Sequence, residues 1–249
     1  MKEIVKQITR ANHDYGLIDN HDRIAVGFSG GMDSYALAVG LDLYKKRSKL
    51  EFELAFFYMD MNFDDMNIQP AVQFLETLGY PLHIIPTEIN DILKQHPQKH
   101  TTYSCSICSR LKKGYFINHI KPLGFNKVAF AHHGDDALET LFLNMIYGGR
   151  IATFEPCMYL SKQDITFIRP LVYTFKHQIE ANQQQMQWPI IKSTCPNNLS
   201  TQRNRMRPII QHMVNHYPGA RHNLLKSIYN DAHVDLWVPL KEKKENEKP

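Results

Sequence analysis

Four cysteines in 249 residues are too few to staple a fold of this length with disulfides. The chain also lacks the long apolar stretch that a secretory signal or a membrane span requires. Its first residues, MKEIVKQITRANHDYG, instead alternate charge with apolar side chains at helical spacing. These absences predict a cytoplasmic protein with no membrane contact. Strong charge bias is missing too, since a net charge of +4 gives only weak nonspecific attraction to polyanions. There is no internal repeat and no proline- or glycine-rich linker. An apolar content of 43% is ordinary for a packed core, so one compact domain is expected.

What is present is an alternation. β-rich runs at Arg23 to Ser29, Phe52 to Asp60, Pro81 to Pro86 and Lys127 to His133 are separated by helix-like segments at about Asp33 to Lys46, Gln69 to Leu78 and Asp135 to Tyr147. The pattern predicts an α/β fold, a parallel sheet sandwiched by helices. Gly148 and Gly149 are the natural end of the third helix. Beyond them the rhythm loosens through RIATFEPCMYLSKQD and ITFIRPLVY. It resumes with a helix at about Phe175 to Met186, a short strand in WPIIKS, and helices at about Ser200 to Asn215 and Arg221 to Asn230. The expected organisation is a main domain over 1–220, a C-terminal helix and extension over 221–240, and a charged disordered tail over 241–249.

Three groups of residues could carry chemistry. In FSGGMDSYAL a strand meets a helix through Ser29, Gly30 and Gly31. Bare glycine amides at a helix N-terminus close on an anion, and the Ser29 and Ser34 hydroxyls can add hydrogen bonds to phosphate oxygens. Asp33 would repel phosphate unless it holds a divalent cation, so the carboxylate predicts Mg²⁺. The loop has neither the GxGxxG spacing nor the GxxxxGK spacing of other phosphate loops, and a plain strand-to-helix turn is the bland alternative. In AHHGDDALET, His132, His133, Asp135 and Asp136 fall at a strand C-terminus, where open α/β sheets bind ligands, and Glu139 with Thr140 would brace the following helix. In YSCSICSRLKKGYF, Cys105 and Cys108 lead into a basic amphipathic helix, and Cys195 follows much later. A redox pair, half a zinc site and iron–sulfur ligation are all compatible with the CxxC spacing. Cys157, in FEPCMYL, reads as a semi-buried structural thiol.

Ser29 to Ser34, SGGMDS, resembles the SGGxDS signature of the PP-loop ATP pyrophosphatases, which adenylate a substrate and release pyrophosphate. The resemblance implies an adenine-nucleotide α-hydrolase-like fold of the HUP type. It places ATP phosphates on Ser29, Gly30, Gly31, Asp33 and Ser34, with Met32 standing where several relatives carry lysine. Ala131 to Gly149 resembles the HHxDDxxET segment of tRNA lysidine and tRNA 2-thiocytidine synthetases, which sets His132, Asp135 and Asp136 beside the nucleotide; Asp60, ending the second strand-like run, joins that set. The CSxCSRL segment with a later cysteine is similar to the 2-thiocytidine synthetases. That likeness implies a 4Fe-4S cluster on Cys105, Cys108 and Cys195, and transfer of sulfur to a cytidine of the tRNA anticodon loop. On this reading Asp33 and the three cysteines are the catalytic set, and Arg110, Lys112, Lys113, Arg203 and Arg207 hold tRNA phosphates. A sulfur donor such as a cysteine desulfurase or free sulfide is implied. The apolar FLNMIYGG segment serves the core or a homodimer contact. A lysidine synthetase-like ligase and a non-catalytic nucleotide-binding RNA module are the alternatives.

Overall fold

Ile24, Ala25 and Val26 are fully buried, so the first strand has protein on both faces, as parallel strands covered by helices do. The computed structural model describes residues 1–63, 66–96, 103–192, 194–196, 201–230, 232 and 237. Its strands are β1 (Arg23–Gly27), β2 (Glu53–Asp60), β3 (Leu82–Pro86), β4 (Lys127–Ala129), β5 (Cys157–Leu160) and β6 (Ile165–Ile168). They form one sheet in the order β3-β2-β1-β4-β6-β5, parallel except for β5, which runs antiparallel on β6 at the edge. The helices are α1 (Lys2–Tyr15), α2 (Met32–Arg47), α3 (Gln69–Thr77), α4 (Ile89–Lys94), α5 (Cys105–Ile120), α6 (Gly134–Gly148), α7 (Lys176–Met186), α8 (Gln202–His216) and α9 (Ala220–Tyr229).

Alternation along β1 assigns the two layers. Ile24 and Val26 join Ile4 and Ile8 of α1, Leu37 and Leu41 of α2, and Ile179 of α7 in one core. Ala25 points the other way, with Phe57, Val128 and Phe167, onto Phe116, Ile117 and Ile120 of α5. A Cβ on Gly40 would stand 2.7 Å from Ile8 Cδ1, so the missing side chain is what lets α1 lie so close to α2. At the C-terminus Met206 and Ile210 of α8 pack on Leu138 of α6. Among the described residues no helix is long and apolar enough to cross a membrane.

The four expected strands and the expected helices are present, with three differences. The fourth strand stops at Ala129, because the chain must turn at His133 to enter α6. The β5–β6 hairpin was not foreseen, its strands being four residues each around the turn at Ser161 to Asp164. The described residues of WPIIKS, 188–192, form no strand. Pro189 has no N–H to give a ladder, and the segment is held instead by Tyr35 Oη on the Pro189 carbonyl at 2.8 Å and by Ile191 N on the Gly30 carbonyl at 2.9 Å. The expected tail at 241–249 lies outside the described residues, as does Ser200 at the expected start of α8.

Candidate active site

β1 and β4 are neighbours, but β1 leads through α2 to β2 on one side while β4 leads through α6 towards β6 on the other. Ligands bind outside the strand C-termini where the winding reverses in this way. Both motif segments emerge there. After Phe28, Gly30 takes φ +73°, and a Cβ on it would stand 2.6 Å from Ile191 Cδ1, so both the backbone turn and the packing require glycine. The amides of Gly30, Met32 and Asp33 have no acceptor among the described residues, and they sit at the positive end of α2. Gly31 N donates to Ser29 Oγ at 3.3 Å. Ser34 departs from expectation: its hydroxyl is buried and donates to the Gly31 carbonyl at 2.7 Å, so it braces the loop rather than pointing a donor at a ligand.

Around this cradle runs an acidic rim whose charges are met by the C-terminal helices. Asp33 Oδ1 accepts from Lys176 Nζ at 2.6 Å, at the start of α7. Asp135 accepts from Lys176 N at 2.7 Å and from Arg221 of α9. Asp136 closes the start of α6 by accepting from His133 N at 3.0 Å. Buried Glu139 accepts from Arg207 Nε at 2.7 Å, a bond that raises the Arg207 pKa, and Arg203 Nη2 donates to Thr140 Oγ1 at 2.9 Å. Arg207, expected on RNA phosphate, therefore spends its guanidinium on Glu139.

Beside the rim opens a cleft of about 820 Å³. Ser29, Gly31, Asp60 and His132 line it, and so do Cys105, Cys108 and Cys195, with Lys112, Lys113 and Arg203. Gly30, Asp33, Ser34, Asp135, Asp136, Arg110 and Arg207 do not line it, the acidic residues forming the rim instead. The cysteines arrive by separate routes. Ser104 caps α5 through Ile107 N at 3.4 Å, which puts Cys105 and Cys108 in its first turn, while Cys195 comes from the coil after α7. Burial pushes the Cys108 thiol up; Lys112 opposes that shift, and the nearness of Cys195 and Cys105 adds to it, so the three sulfurs share one electrostatic neighbourhood. Cys157 is not among the lining residues; it starts β5 and packs on the core.

Three thiols brought to one cleft fit an iron–sulfur group in donor chemistry. Among the described residues no group of three His, Cys, Asp or Glu side chains is close enough to grip a single ion, and a multi-iron cluster spreads its thiolates wider. For magnesium, Asp33 offers Oδ2, which carries no hydrogen bond from the described residues. Mg²⁺ is commonly held by one such carboxylate with phosphate oxygens and water.

Two cleft residues have polar atoms without a hydrogen-bond partner among the described residues. Burial pushes the His132 imidazole down to about 4, so it is neutral at pH 7, and its Nδ1 is one of these atoms. Arg169, directly after β6, is buried and its Nε is the other; its guanidinium lies over Phe154, and burial pulls its pKa down. Arg169 and Lys176 escaped the reading of the sequence. The signal was IRPLVYTFK following a strand, legible only if ITFI is recognised as a parallel strand whose C-terminal end opens on the site.

A mostly parallel sheet that reverses at a bare-amide loop, with an acidic helix start across the crevice, is the architecture of a PP-loop protein, and the PP-loop domain model matches residues 1–213. The chain is 33% identical over 231 residues to the tRNA-cytidine(32) 2-sulfurtransferase of Geobacter sulfurreducens, covering 92% of this chain and 90% of that one. It is 33% identical over 225 residues to the protein of the same name from Pelobacter propionicus, covering 90% and 83%. The chain belongs to the PP-loop family and, within it, to the tRNA-cytidine(32) 2-sulfurtransferases. Its fold is shared with the U34-tRNA thiolase NcsA from Methanococcus maripaludis, solved with its 4Fe-4S cluster, at a TM-score of 0.73 and 19% identity over 94% of this chain and 79% of that one.

Proposed function

We propose that this protein is an ATP-dependent tRNA sulfurtransferase that converts a cytidine of the anticodon loop to 2-thiocytidine. The observation that carries the reading is the convergence of Cys105, Cys108 and Cys195 on the cleft that the glycine loop opens into. The loop amides of Gly30, Met32 and Asp33 hold ATP phosphates, and Asp33 holds magnesium through Oδ2. O2 of the cytidine attacks the α-phosphate and pyrophosphate leaves, its charge met by amides already aimed at it. Neutral His132 offers an unpaired nitrogen to the nucleotide. Cys105, Cys108 and Cys195 would hold a four-iron cluster, which would supply the sulfur-carrying chemistry; as sulfide-level sulfur bonds to C2 of the base, the C2–O2 bond breaks and AMP leaves with that oxygen. Arg110, Lys112, Lys113 and Arg203 hold tRNA phosphate at the mouth of the cleft, while Arg207 acts as a brace. Positioning and charge do the remaining catalysis.

Residues 1–220 form the catalytic unit, with a C-terminal helix and extension over 221–240, of which Arg221 of α9 braces the site on Asp135. The tail at 241–249 remains a proposed charged extension. The enzyme works in the cytoplasm, draws sulfur from a cysteine desulfurase or free sulfide, and a homodimer is the proposed assembly. The test is incubation of anaerobically reconstituted protein with ATP, sulfide and tRNA, followed by nucleoside mass spectrometry. A mass gain matching exchange of oxygen for sulfur in cytidine is expected; unmodified nucleosides from cluster-loaded protein would sink the proposal. Ala at Cys105, Cys108 or Cys195 should each abolish the brown chromophore, whereas Cys157→Ala should keep it.

A further inference from the structure

The loop from Ser29 to Ser34 contains no cationic side chain, and its one charge is the Asp33 carboxylate. A triphosphate entering this cradle meets a negative charge with no lysine on the loop to offset it, because Met32 packs against the core. Besides the magnesium proposed on Oδ2, a cation from elsewhere in the chain faces Asp33. Lys176 opens α7, where its backbone N–H is fixed on Asp135 Oδ2 at 2.7 Å, and its ammonium reaches Asp33 Oδ1 at 2.6 Å. Asp33 also supplies one of the three bare amides, so the ammonium stands at the edge of the cradle.

Stability does not account for this pair. Both side chains are about a third exposed, 35% and 34%, and pairs so accessible contribute little to folding. Two neighbouring cations are committed, Arg221 to Asp135 and Arg207 to Glu139. An ammonium has three N–H donors, and Asp33 takes one, leaving two for phosphate oxygens.

We propose that Lys176 is the phosphate-binding lysine of this site, contacting the β- and γ-phosphates of ATP and meeting the charge of pyrophosphate as it departs. The inference rests on the reading of the cleft as an ATP site and adds the residue that completes it. No proton moves; the bond broken is that between the α-phosphorus and the oxygen bridging to the β-phosphate. Met32 then has a reason. With the amine delivered from α7, position 32 is free to pack.

The test is calorimetric titration of the full chain with MgATP and, separately, AMP, using wild type, Lys176→Met and Lys176→Arg. Lys176→Met should weaken ATP at least about tenfold and leave AMP within roughly twofold, and Lys176→Arg should stay near wild type. Unchanged ATP affinity in Lys176→Met overturns the inference and spares the ATP site. Equal loss of ATP and AMP, with a lowered Tm, assigns the lysine a structural role and overturns it too. Failure of the wild type to bind ATP overturns the reading of the site and this inference with it.

Discussion

Arg207→Met asks whether that guanidinium serves the fold or the RNA. Arg207 donates to both oxygens of Glu139, at 2.7 and 3.4 Å, and the carboxylate is only 2% exposed. Removing one partner of a buried pair costs roughly 3–5 kcal/mol, because the other charge stays in a medium that solvates it poorly. Two features reduce that figure. The Arg207 side chain is itself 60% exposed, and Arg203 Nη1 remains 3.6 Å from Glu139 Oε2. About 2 kcal/mol is the expected loss, equivalent to roughly 4–8 °C in Tm for a domain of this size. Urea unfolding followed by circular dichroism reads it. Glu139→Gln in the Arg207→Met background should restore most of the loss, since a neutral amide needs no cation, giving a coupling energy of about 1 kcal/mol or more. tRNA binding across a salt series supplies the second measurement. A brace leaves the slope of log K against log salt unchanged, whereas a lost phosphate contact lowers it by about one. Wild-type urea stability with a reduced slope would refute the assignment.

Gly30→Ala combines a left-handed backbone with a Cβ driven into Ile191, so a loss of about 2–4 kcal/mol is expected in the same unfolding assay. Ile191→Ala should recover part of it, and a neutral Gly30→Ala would mean that the loop is far softer than its packing implies. His132 gives a pH prediction. Its folded pKa is about 4 against 6.5 unfolded, so the unfolded chain takes up the proton first. The associated stability is fully present above 6.5 and falls away as pH drops towards 4, by an upper bound of about 3 kcal/mol. His132→Gln should flatten that part of the stability–pH curve; parallel curves for the two proteins would rule out a buried neutral imidazole.

The parts of this molecule written in local pattern could be read from the chain. SGGMDS and HHGDD each sit where an apolar run stops, and two strand C-termini lying side by side bring them together. The cysteines were legible as chemistry but not as geometry: CxxC spacing cannot say that Cys195 returns to the first turn of α5, because that depends on the path of a coil outside any periodic element. The short hairpin was lost for a related reason. Four residues per strand, with Thr166 only half-buried between Ile165 and Phe167, give too little alternation to separate a strand from a loop.

That one omission had consequences at the site. A parallel strand delivers the residues beyond its C-terminal end to the same edge of the sheet as its neighbours do, so recognising Ile165–Ile168 as parallel to β4 would have put Arg169 and Lys176 on the ligand side at once. The basic residues after it look like solvated helix faces in sequence, since charge clusters carry no sign of what they oppose. In three dimensions α7, α8 and α9 each present a cation to a different acid of the nucleotide rim: Lys176 to Asp33, Arg207 to Glu139 and Arg221 to Asp135. The C-terminal helices are therefore part of the site's charge balance. On the proposal made for Lys176, a triphosphate shares that ammonium with Asp33, while the guanidiniums of Arg207 and Arg221 stay on Glu139 and Asp135.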